Sequence, residues 1–306
     1  MTSIDPIRLN KPKKSEVETP IQRIMREYTA SGIAIVALAA LVALILIAVF
    51  APALSPQNPY DLSQLDFMDG RLPPGSTAAD GSVYLLGTDT QGRDMLSAIM
   101  YGLRISLGVG IISAVCAAVF GTSLGLIAAY AGGRLEAVIM RLVDLQLSFP
   151  AILVAMMILA VLGKGIGNVI LALVIVEWAT YARAARGAAL VESEKEYMEA
   201  ARCLNIPRYR ILFGHLLPNC TAPLIVIATV QIARAISLEA TLSFLGLGVP
   251  VTEPSLGMLI ANGYQFILSG EHWISFFPGL ALLGTIVAIN LVGDQLRDAL
   301  NPRKGA

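Results

Sequence analysis

Residues 31–51 read SGIAIVALAALVALILIAVFA, an unbroken apolar run without a charged side chain. A helix needs about 20 apolar residues to cross the hydrocarbon core of a bilayer, so this run predicts a membrane-spanning helix. It follows about 30 more polar residues, is too long for the apolar part of a signal peptide, and ends in Phe50-Ala51-Pro52 without a cleavage pattern. We therefore interpret it as a retained membrane anchor.

Further apolar stretches of similar length occur along the chain. They cover 103–130, 138–162, 166–183, 219–235 and 273–292. Of the 306 residues 56% are hydrophobic and only 14% are charged, whereas a soluble domain carries roughly 25% charged residues. The sequence predicts an all-α polytopic membrane protein with about six transmembrane helices; five or seven also fit.

Lys and Arg are concentrated in alternate connecting segments. Residues 1–30 and 183–213 hold six each, whereas 52–102 holds two and 249–272 holds none. Basic loops stay on the cytoplasmic side of the membrane. This asymmetry predicts cytoplasmic termini, a cytoplasmic loop at 187–218, and extracytoplasmic segments at 52–102 and 249–272. The chain then divides as follows: tail 1–30, first span 31–51, outer segment 52–102, core 103–300, and tail 301–306.

The outer segment has two parts. Residues 52–86 are rich in Pro, Gly, Asp and Ser, which predicts an irregular loop. From Met95 to Leu103 apolar residues recur on one helical face, which predicts an amphipathic helix at the membrane surface that leads into the second span. Asp94 is its predicted N-cap. The alternating acidic ligands of a calcium loop are missing at 89–94, so we interpret that stretch as a turn and a cap.

The cytoplasmic loop carries several helix signals. Residues 193–196 read Ser-Glu-Lys-Glu, a capping box that predicts a helix over 193–202. Asn205 stands where that helix would end in the left-handed conformation. A second short helix is predicted over 207–214, because proline suits a first helical turn and Leu217-Pro218 would end the helix. So much ordered chain between two spans predicts a docking surface.

This loop resembles a known motif. Glu199-Ala200-Ala201, followed by His215-Leu216-Leu217-Pro218-Asn219, is similar to the EAA loop of bacterial ABC importer permeases. In that family the loop forms a coupling helix that seats in a cleft of the cytoplasmic ATPase. The family has Gly six residues after the Glu; Asn205 stands there in this chain and tolerates the same backbone. The resemblance implies an ATPase-coupling role for these residues: Glu199, Ala200, Ala201, Asn205, Pro207, His215 and Pro218.

Other stretches resemble the C-type permease of dipeptide, oligopeptide and nickel importers. They are LGTDTQGRD at 86–94, YGLR at 101–104, Glu239 with LSFLGLG at 242–248, and NLVGDQLRD at 290–298. The matches lie between residues 31 and 303 in the expected order. The extracytoplasmic family motif comprises Gly87, Thr88, Asp89, Gly92, Arg93 and Asp94.

The resemblance implies the type I permease fold and a transport subunit of the bacterial inner membrane, not an enzyme. The expected partners are a second homologous permease, two ATPase subunits that hold ATP and magnesium, an extracytoplasmic solute-binding protein and the lipid membrane. The chain contains no phosphate-binding G-xxxx-G-K-[ST] motif and no basic tract for nucleic acid. The expected solutes are peptides; nickel chelates, glutathione and opine-like compounds remain alternatives.

Charged residues inside predicted spans cost free energy in the bilayer, so each one indicates a structural or functional role. Glu177 lies within the fourth span, and two interpretations stay open: it lines a cavity, or it is buried with a polar partner on another helix. Arg141 and Asp144, one turn apart, are predicted to pair locally. Arg234 and Glu239 are roughly 140° apart around a helix, which predicts that they do not pair and that both lie at the outer interface.

The remaining reactive residue types predict no catalytic or metal centre. His215 and His272 fall on opposite predicted sides of the membrane, without a ligand partner at metal spacing. We interpret three cysteines as unpaired structural thiols: Cys116, Cys203 and Cys220. The Gly121-xxx-Gly125 pair predicts close helix packing.

Two other protein classes fit the sequence less well. A secondary transporter would show internal repeats and discontinuous spans, and it would need no large docking loop. A membrane-embedded enzyme would need a nucleophile–base or metal constellation, which the scattered Asp and Glu residues do not offer. Copurification of an ATPase would separate the permease from both.

Overall fold

The computed structural model describes residues 20–300 except 62, 64, 79–80, 82 and 251. Its helices are α1 Pro20–Thr29, α2 Gly32–Val49, α3 Ala51–Leu54, α4 Met95–Ala131, α5 Gly133–Ser148, α6 Ala151–Leu162, α7 Ile166–Ser193, α8 Glu196–Cys203, α9 Arg208–Arg210, α10 Leu217–Phe244, α11 Leu256–Tyr264 and α12 Trp273–Ala299. A two-stranded antiparallel hairpin, β1 Ser76–Thr77 and β2 Val83–Tyr84, lies between α3 and α4. Short 3-10 turns occur at Phe67–Asp69 and Ile267–Ser269.

Five helical segments of the described chain are long and apolar enough to cross a membrane, or six if the bent pair α5–α6 counts as one. They are α2, α4, α7, the continuous segment Arg208–Phe244 and α12. The predicted all-α polytopic fold with about six spans is therefore confirmed, apart from the small hairpin in the outer segment.

The first span matches its prediction closely. The Ser31 hydroxyl accepts a hydrogen bond from the Ala34 N–H at 3.4 Å and caps α2, which then runs to Val49. Most of its large side chains are exposed, as expected for a helix that faces lipid. The described part of the predicted tail holds α1, a helix that the sequence analysis did not predict; residues 1–19 and 301–306 of the two tails lie outside the described range.

The third predicted span, 138–162, is not one straight helix. Helices α5 and α6 meet at 92° around Phe149 and Pro150. Proline disfavours the helical conformation for the residue before it, and Phe149 is extended, with φ −97° and ψ 144°. The apolar composition identified the segment correctly, but Pro150 divides it.

Among the described residues, no separate surface helix precedes the second span, so that prediction is wrong. Met95 begins a continuous helix of 37 residues, about 55 Å long at 1.5 Å per residue. Its apolar face is buried inside the protein, where Met95 and Leu103 pack with Leu256 and Ile274. These partners come from α11 and α12, more than 150 residues downstream along the chain. The predicted connector 249–272 thus contains a buried helix, α11.

Helices α4 and α7 pack at very short range through the predicted glycine pair. A β-carbon at Gly121 would overlap the carbonyl oxygen of Trp178, and one at Gly125 would overlap that of Ala182. Small residues let helix backbones approach in this way. The predicted packing role of the pair is confirmed.

We expect Gly125→Ala to destabilise the chain, because the new methyl group must push α4 and α7 apart, at a cost of about 1–3 kcal/mol. Gly108→Ala on the same helix is the matched control, since a β-carbon there would meet nothing within 4 Å. Alanine favours helix over glycine by about 1 kcal/mol, so the control is expected to be neutral or stabilising. Thermal unfolding of both variants in detergent measures this difference. Equal midpoints would show that the contact does not limit packing.

Candidate functional site

Helix α7 continues beyond its predicted span, 166–183, into the connection that is predicted to be cytoplasmic. It ends at Ser193, ten residues beyond the predicted span, and α8 begins at Glu196. Ser193 is therefore the last residue of α7 and not the predicted start of the next helix. The alanine-rich stretch 182–189 is a strong helix former, which favours continuation of α7 over a new cap at Ser193.

Helix α8 ends as predicted, with Asn205 in the left-handed conformation. Asn205 has φ +52°, in the left-handed region. The N–H of Ile206 bonds to the carbonyl of Ala201 at 3.3 Å, and the N–H of Leu204 to that of Ala200 at 3.0 Å. The bond from Ile206 spans six residues, as in a Schellman motif. The left-handed conformation of Asn205 thus turns the chain sharply after α8.

The second short helix does not stand alone. Pro207 precedes it as the N-cap residue, and Arg208–Phe244 runs without interruption into the membrane. A π-helical turn at Ile211–Leu216 connects α9 to α10, with the Leu217 N–H bonded to the Leu212 carbonyl. Pro218 lacks an N–H and its ring crowds the preceding turn, so the chain changes hydrogen-bond register there instead of ending.

Helix α8 has a buried face and an exposed face. Met198 and Ala201, 0% and 3% exposed, pack into a cluster with Ile211 of the same chain. The methyl group of Ala201 therefore faces this chain, and its predicted coupling role would act through this packing. The exposed residues form what we call the α8 surface: Glu199, Ala200, Cys203, Leu204 and Asn205. Of the other predicted coupling residues, Pro207 and Pro218 are exposed and His215 is half-buried.

A polar contact fixes α8 to α7. The Glu192 carboxylate accepts hydrogen bonds from Lys195 Nζ at 2.6 Å and from the Tyr197 hydroxyl at 3.0 Å. Desolvation raises the pKa of Tyr197 to about 12, and the hydrogen bond to Glu192 adds to this rise. The hydroxyl therefore stays protonated as a donor at physiological pH, and the orientation of α8 follows that of α7.

The extracytoplasmic motif forms a turn and a cap, as predicted. The Asp89 carboxylate accepts the backbone N–H groups of Gln91 at 2.8 Å and Arg93 at 3.0 Å. Burial raises the pKa of Asp89, although these two bonds and the charge of Arg93 oppose the rise. Asp94 caps α4 by accepting from the Ser97 N–H at 2.8 Å.

The same motif holds the outer segment against the membrane helices. The hydroxyl of Thr88 donates to the Asp69 carbonyl at 2.5 Å, and the Thr88 carbonyl accepts from Trp273 Nε1 of α12 at 3.3 Å. Gly87, at φ +78°, has no room for a side chain, because a β-carbon there would meet the Trp273 indole. Gly92, at φ +74°, has none either, because a β-carbon there would overlap the backbone carbonyl of Asp66 in the outer loop. The charged and hydroxyl side chains of the motif are at most 3% exposed: Thr88, Asp89, Arg93 and Asp94. Their hydrogen bonds organise the fold on this side of the protein.

Glu239 is fully buried among the helices of the protein. Its carboxylate accepts from the hydroxyls of Ser106 at 2.8 Å and Ser243 at 2.7 Å. The Ser106 oxygen in turn accepts the Leu256 N–H at 3.3 Å. Glu239 therefore joins α4, α10 and the start of α11. Arg234 is exposed, and the predicted lack of pairing between the two holds.

Asp144 pairs between helices and not with Arg141 as predicted. Its carboxylate lies 2.5 Å from the Arg183 guanidinium on α7, with both side chains more than half exposed. A parallel pair joins Glu136 of α5 to Arg186 of α7. Both bridges connect α5 to the second half of α7.

Glu177 is 1% exposed, and neither carboxylate oxygen has a hydrogen-bond partner among the described residues. It has no bonded polar partner there, so the second interpretation is not supported. The charge of Arg234 on α10 attracts it from beyond contact. A cavity of about 810 Å³ lies between α7, α10 and α12, and Thr180 and Gln231 form part of its wall. Glu177 is one helical turn from Thr180 but does not itself line this cavity, so neither interpretation of its role is confirmed.

Gln231 and Tyr181 were not among the site residues predicted from the sequence. Gln231 is 4% exposed and Tyr181 is 1% exposed, and each has a polar atom without a partner in the described chain. A glutamine inside an apolar span is itself a signal, because polar groups are costly there. Tyr181 gave no such signal, because the hydroxyl of a tyrosine in a span can also reach the membrane–water interface.

Comparison with known proteins gives a consistent result along the chain. The model for the binding-protein-dependent transport system inner membrane component matches residues 121–305, and that for the N-terminal TM domain of oligopeptide transport permease C matches 19–74. The chain is 37% identical over 286 residues to the dipeptide transport system permease protein DppC of Haemophilus influenzae, covering 94% of this chain and 96% of the relative. It is 42% identical to the protein of the same name in Escherichia coli K12, covering 93% and 94%. It is 38% identical to the di/tripeptide permease protein DppC of Pseudomonas aeruginosa, covering 93% of each.

A solved structure shares the fold. A chain of the MetNI methionine ABC transporter in an inward-facing conformation superposes with a TM-score of 0.56, at 19% identity, over 68% of this chain and 98% of its own.

Proposed function

Because this chain belongs to the family of binding-protein-dependent transport system inner membrane components, as a C-type permease subunit of an ABC importer, we propose that it forms half of a peptide translocation pathway driven by separate ATPase subunits. It is a multi-pass protein of the inner membrane. ATP and magnesium would bind to the partner ATPases and not to this chain.

The α8 surface carries this proposal. Leu204 is 75% exposed in a segment that the Lys and Arg pattern assigns to the cytoplasm. Ala200 beside it is small, and Glu199 offers a negative charge to a basic partner group. An exposed leucine and a small residue at the end of a firmly anchored helix suit insertion of that helix into a groove of another protein. A simple connector needs neither feature.

The anchoring of α8 explains how force would reach the membrane. Tyr197 bonds to the end of α7, and Met198 packs against Ile211 at the start of the Arg208–Phe244 segment. A displacement of α8 by closing ATPases would therefore move the cytoplasmic ends of both helices together. Those ends border the 810 Å³ cavity, so this movement would open or close it, as alternating access requires.

The proposed orientation places both termini and α8 in the cytoplasm and residues 52–102 with α11 outside. The Lys and Arg distribution supports it. On the outer side the buried motif at 87–94 would hold the surface that meets a solute-binding protein. The second homologous permease would cover the open side of the cavity.

Dipeptides and tripeptides are the proposed solutes. Relatives at 37–42% identity carry these solutes in their names. The cavity volume lies within the ~300–1,000 Å³ of small-molecule sites, large enough for a short peptide. Nickel chelates, glutathione and opine-like compounds are the alternatives.

The test is uptake of a labelled dipeptide into proteoliposomes that hold the complete transporter, with the binding protein supplied on the outer side. We expect uptake that requires ATP at the ATPase face and that continues after an ionophore removes ion gradients. Uptake without ATP that collapses with the ion gradient would identify a secondary transporter instead.

A further inference from the structure

Three buried polar side chains of the membrane core have atoms without hydrogen-bond partners in the described chain. They are Glu177, through both carboxylate oxygens, Tyr181, through its hydroxyl, and Gln231, through Nε2. Their exposed fractions are 1%, 1% and 4%. Buried polar groups are normally paired, so such a group needs an explanation.

The three groups belong to one neighbourhood. Glu177 and Tyr181 are four residues apart and therefore share a face of α7. Thr180 of that helix and Gln231 of α10 line the same cavity, whose cytoplasmic end is bordered by Asn219 and Arg297. Glu177 is one turn further from that end than Thr180. Glu177 and Tyr181 therefore lie on α7 within one turn of a residue that lines the cavity, and Gln231 lies on the cavity wall itself.

A second buried carboxylate of the membrane helices, that of Glu239, is satisfied within this chain. It accepts from two serine hydroxyls and has no unpartnered oxygen among the described residues. Glu177 has no such donor. Arg234, whose charge attracts it, is exposed and makes no hydrogen bond or ion pair with it in the described chain. A group that donates hydrogen bonds and carries positive charge would satisfy both oxygens of an ionised Glu177.

We propose that Glu177, Tyr181 and Gln231 form a transit site for the amino-terminal end of the peptide, an inference that rests on the proposed function. The peptide ammonium donates to the Glu177 carboxylate and to the Tyr181 hydroxyl oxygen. Gln231 Nε2 donates to the adjacent peptide carbonyl. Each unpartnered atom then gains a partner of the right kind, and an ammonium has enough N–H groups for both acceptors.

The site would be reached through the cavity when α7 and α10 move relative to each other. Its groups are satisfied only while the peptide amino terminus is present. A site whose polar groups were already paired within the chain would gain nothing from the ammonium, and it would not distinguish a peptide from an analogue without one.

The test compares two solutes in the same proteoliposomes at saturating binding protein. One is labelled alanyl-alanine, and the other is propanoyl-alanine, in which hydrogen replaces the ammonium. The ratio of their uptake rates is measured for wild type and for Glu177→Gln. Dividing the two ratios cancels the preference of the binding protein, which is the same in both. We expect Glu177→Gln to reduce the preference for the free amine by about 10-fold or more, as for loss of a charge-assisted hydrogen bond.

Two further variants sharpen the result. Tyr181→Phe removes only an unpartnered hydroxyl, so it should fold and should lower the amine preference by about 3-fold or more. Thr241→Val, at an exposed position of α10 that does not line the cavity, is the control and should leave the preference unchanged.

An unchanged preference in both Glu177→Gln and Tyr181→Phe would overturn the site, whatever the absolute rates. Failure of Glu177→Gln to assemble, with normal preference in Tyr181→Phe, would make Glu177 a structural residue. An equal loss of preference in Arg234→Gln would assign the carboxylate to Arg234 instead. If wild type shows no ATP-driven uptake of alanyl-alanine, the proposed function itself fails, and the site with it.

Discussion

Ala200→Trp is expected to reduce ATP-driven uptake and solute-stimulated ATP hydrolysis together, by about 10-fold or more, in a chain that still folds and inserts. Ala200 is exposed on α8, so the indole meets no neighbour within this chain. In the cleft of a partner it must overpack the interface, which costs about 1–3 kcal/mol. Both activities are measured in the reconstituted transporter.

The matched control is Ala30→Trp, which adds the same indole to an exposed alanine between α1 and α2, on the proposed cytoplasmic side. A surface change of this kind is worth within about 0.5 kcal/mol, and we expect normal uptake. Ala201→Trp does not test the interface, because Ala201 is buried and the variant would destabilise the chain itself. Normal uptake by Ala200→Trp, with the ATPase still bound, would reduce α8 to a connector.

Glu239→Leu is expected to destabilise the outer half of the protein by about 2–4 kcal/mol. The change leaves the hydroxyls of Ser106 and Ser243 without their acceptor, and each unsatisfied buried group costs about 1–3 kcal/mol. The Ser106 hydroxyl also accepts a hydrogen bond from the Leu256 N–H at the start of α11, and this bond weakens when the hydroxyl is no longer held by Glu239. The thermal midpoint of the purified chain in detergent should fall by about 5 °C or more.

Glu239→Gln is the control for this prediction, since its amide oxygen still accepts a hydrogen bond in nearly the same shape. It should retain most of the stability. A Leu variant as stable as the Gln variant would show that the two serines find other acceptors and that Glu239 does not join the three helices.

Features set by local sequence were predictable. Asp94 caps α4 and Asn205 ends α8 as expected, because each conformation depends on residues within one turn. The apolar runs likewise located the spans. A local signal can also be overridden by its neighbours. The capping box at Ser193 does not start a helix, because the alanine-rich stretch before it favours continuation of α7.

Features set by partners distant in the chain were not predictable. The burial of Ala201 depends on Ile211 and its cluster, and the ion pair of Asp144 depends on Arg183 of another helix. The amphipathic face that begins at Met95 suits a membrane surface as well as a protein core. Only the position of α11 decides between them.

The central claim is that the α8 surface faces the cytoplasm and is covered by an ATPase, and the native Cys203 tests it most directly. Cys203 is exposed on this surface, Cys220 is buried, and Cys116 lies in the apolar helix α4. A membrane-impermeant maleimide is applied to intact cells and to inside-out vesicles, with and without the ATPase subunits. Peptide mass spectrometry then identifies the labelled cysteine.

We expect no labelling of Cys203 in intact cells, rapid labelling in inside-out vesicles stripped of the ATPase, and protection once the ATPase is restored. Labelling of Cys203 from outside intact cells, or equal labelling with and without bound ATPase, would contradict the claim.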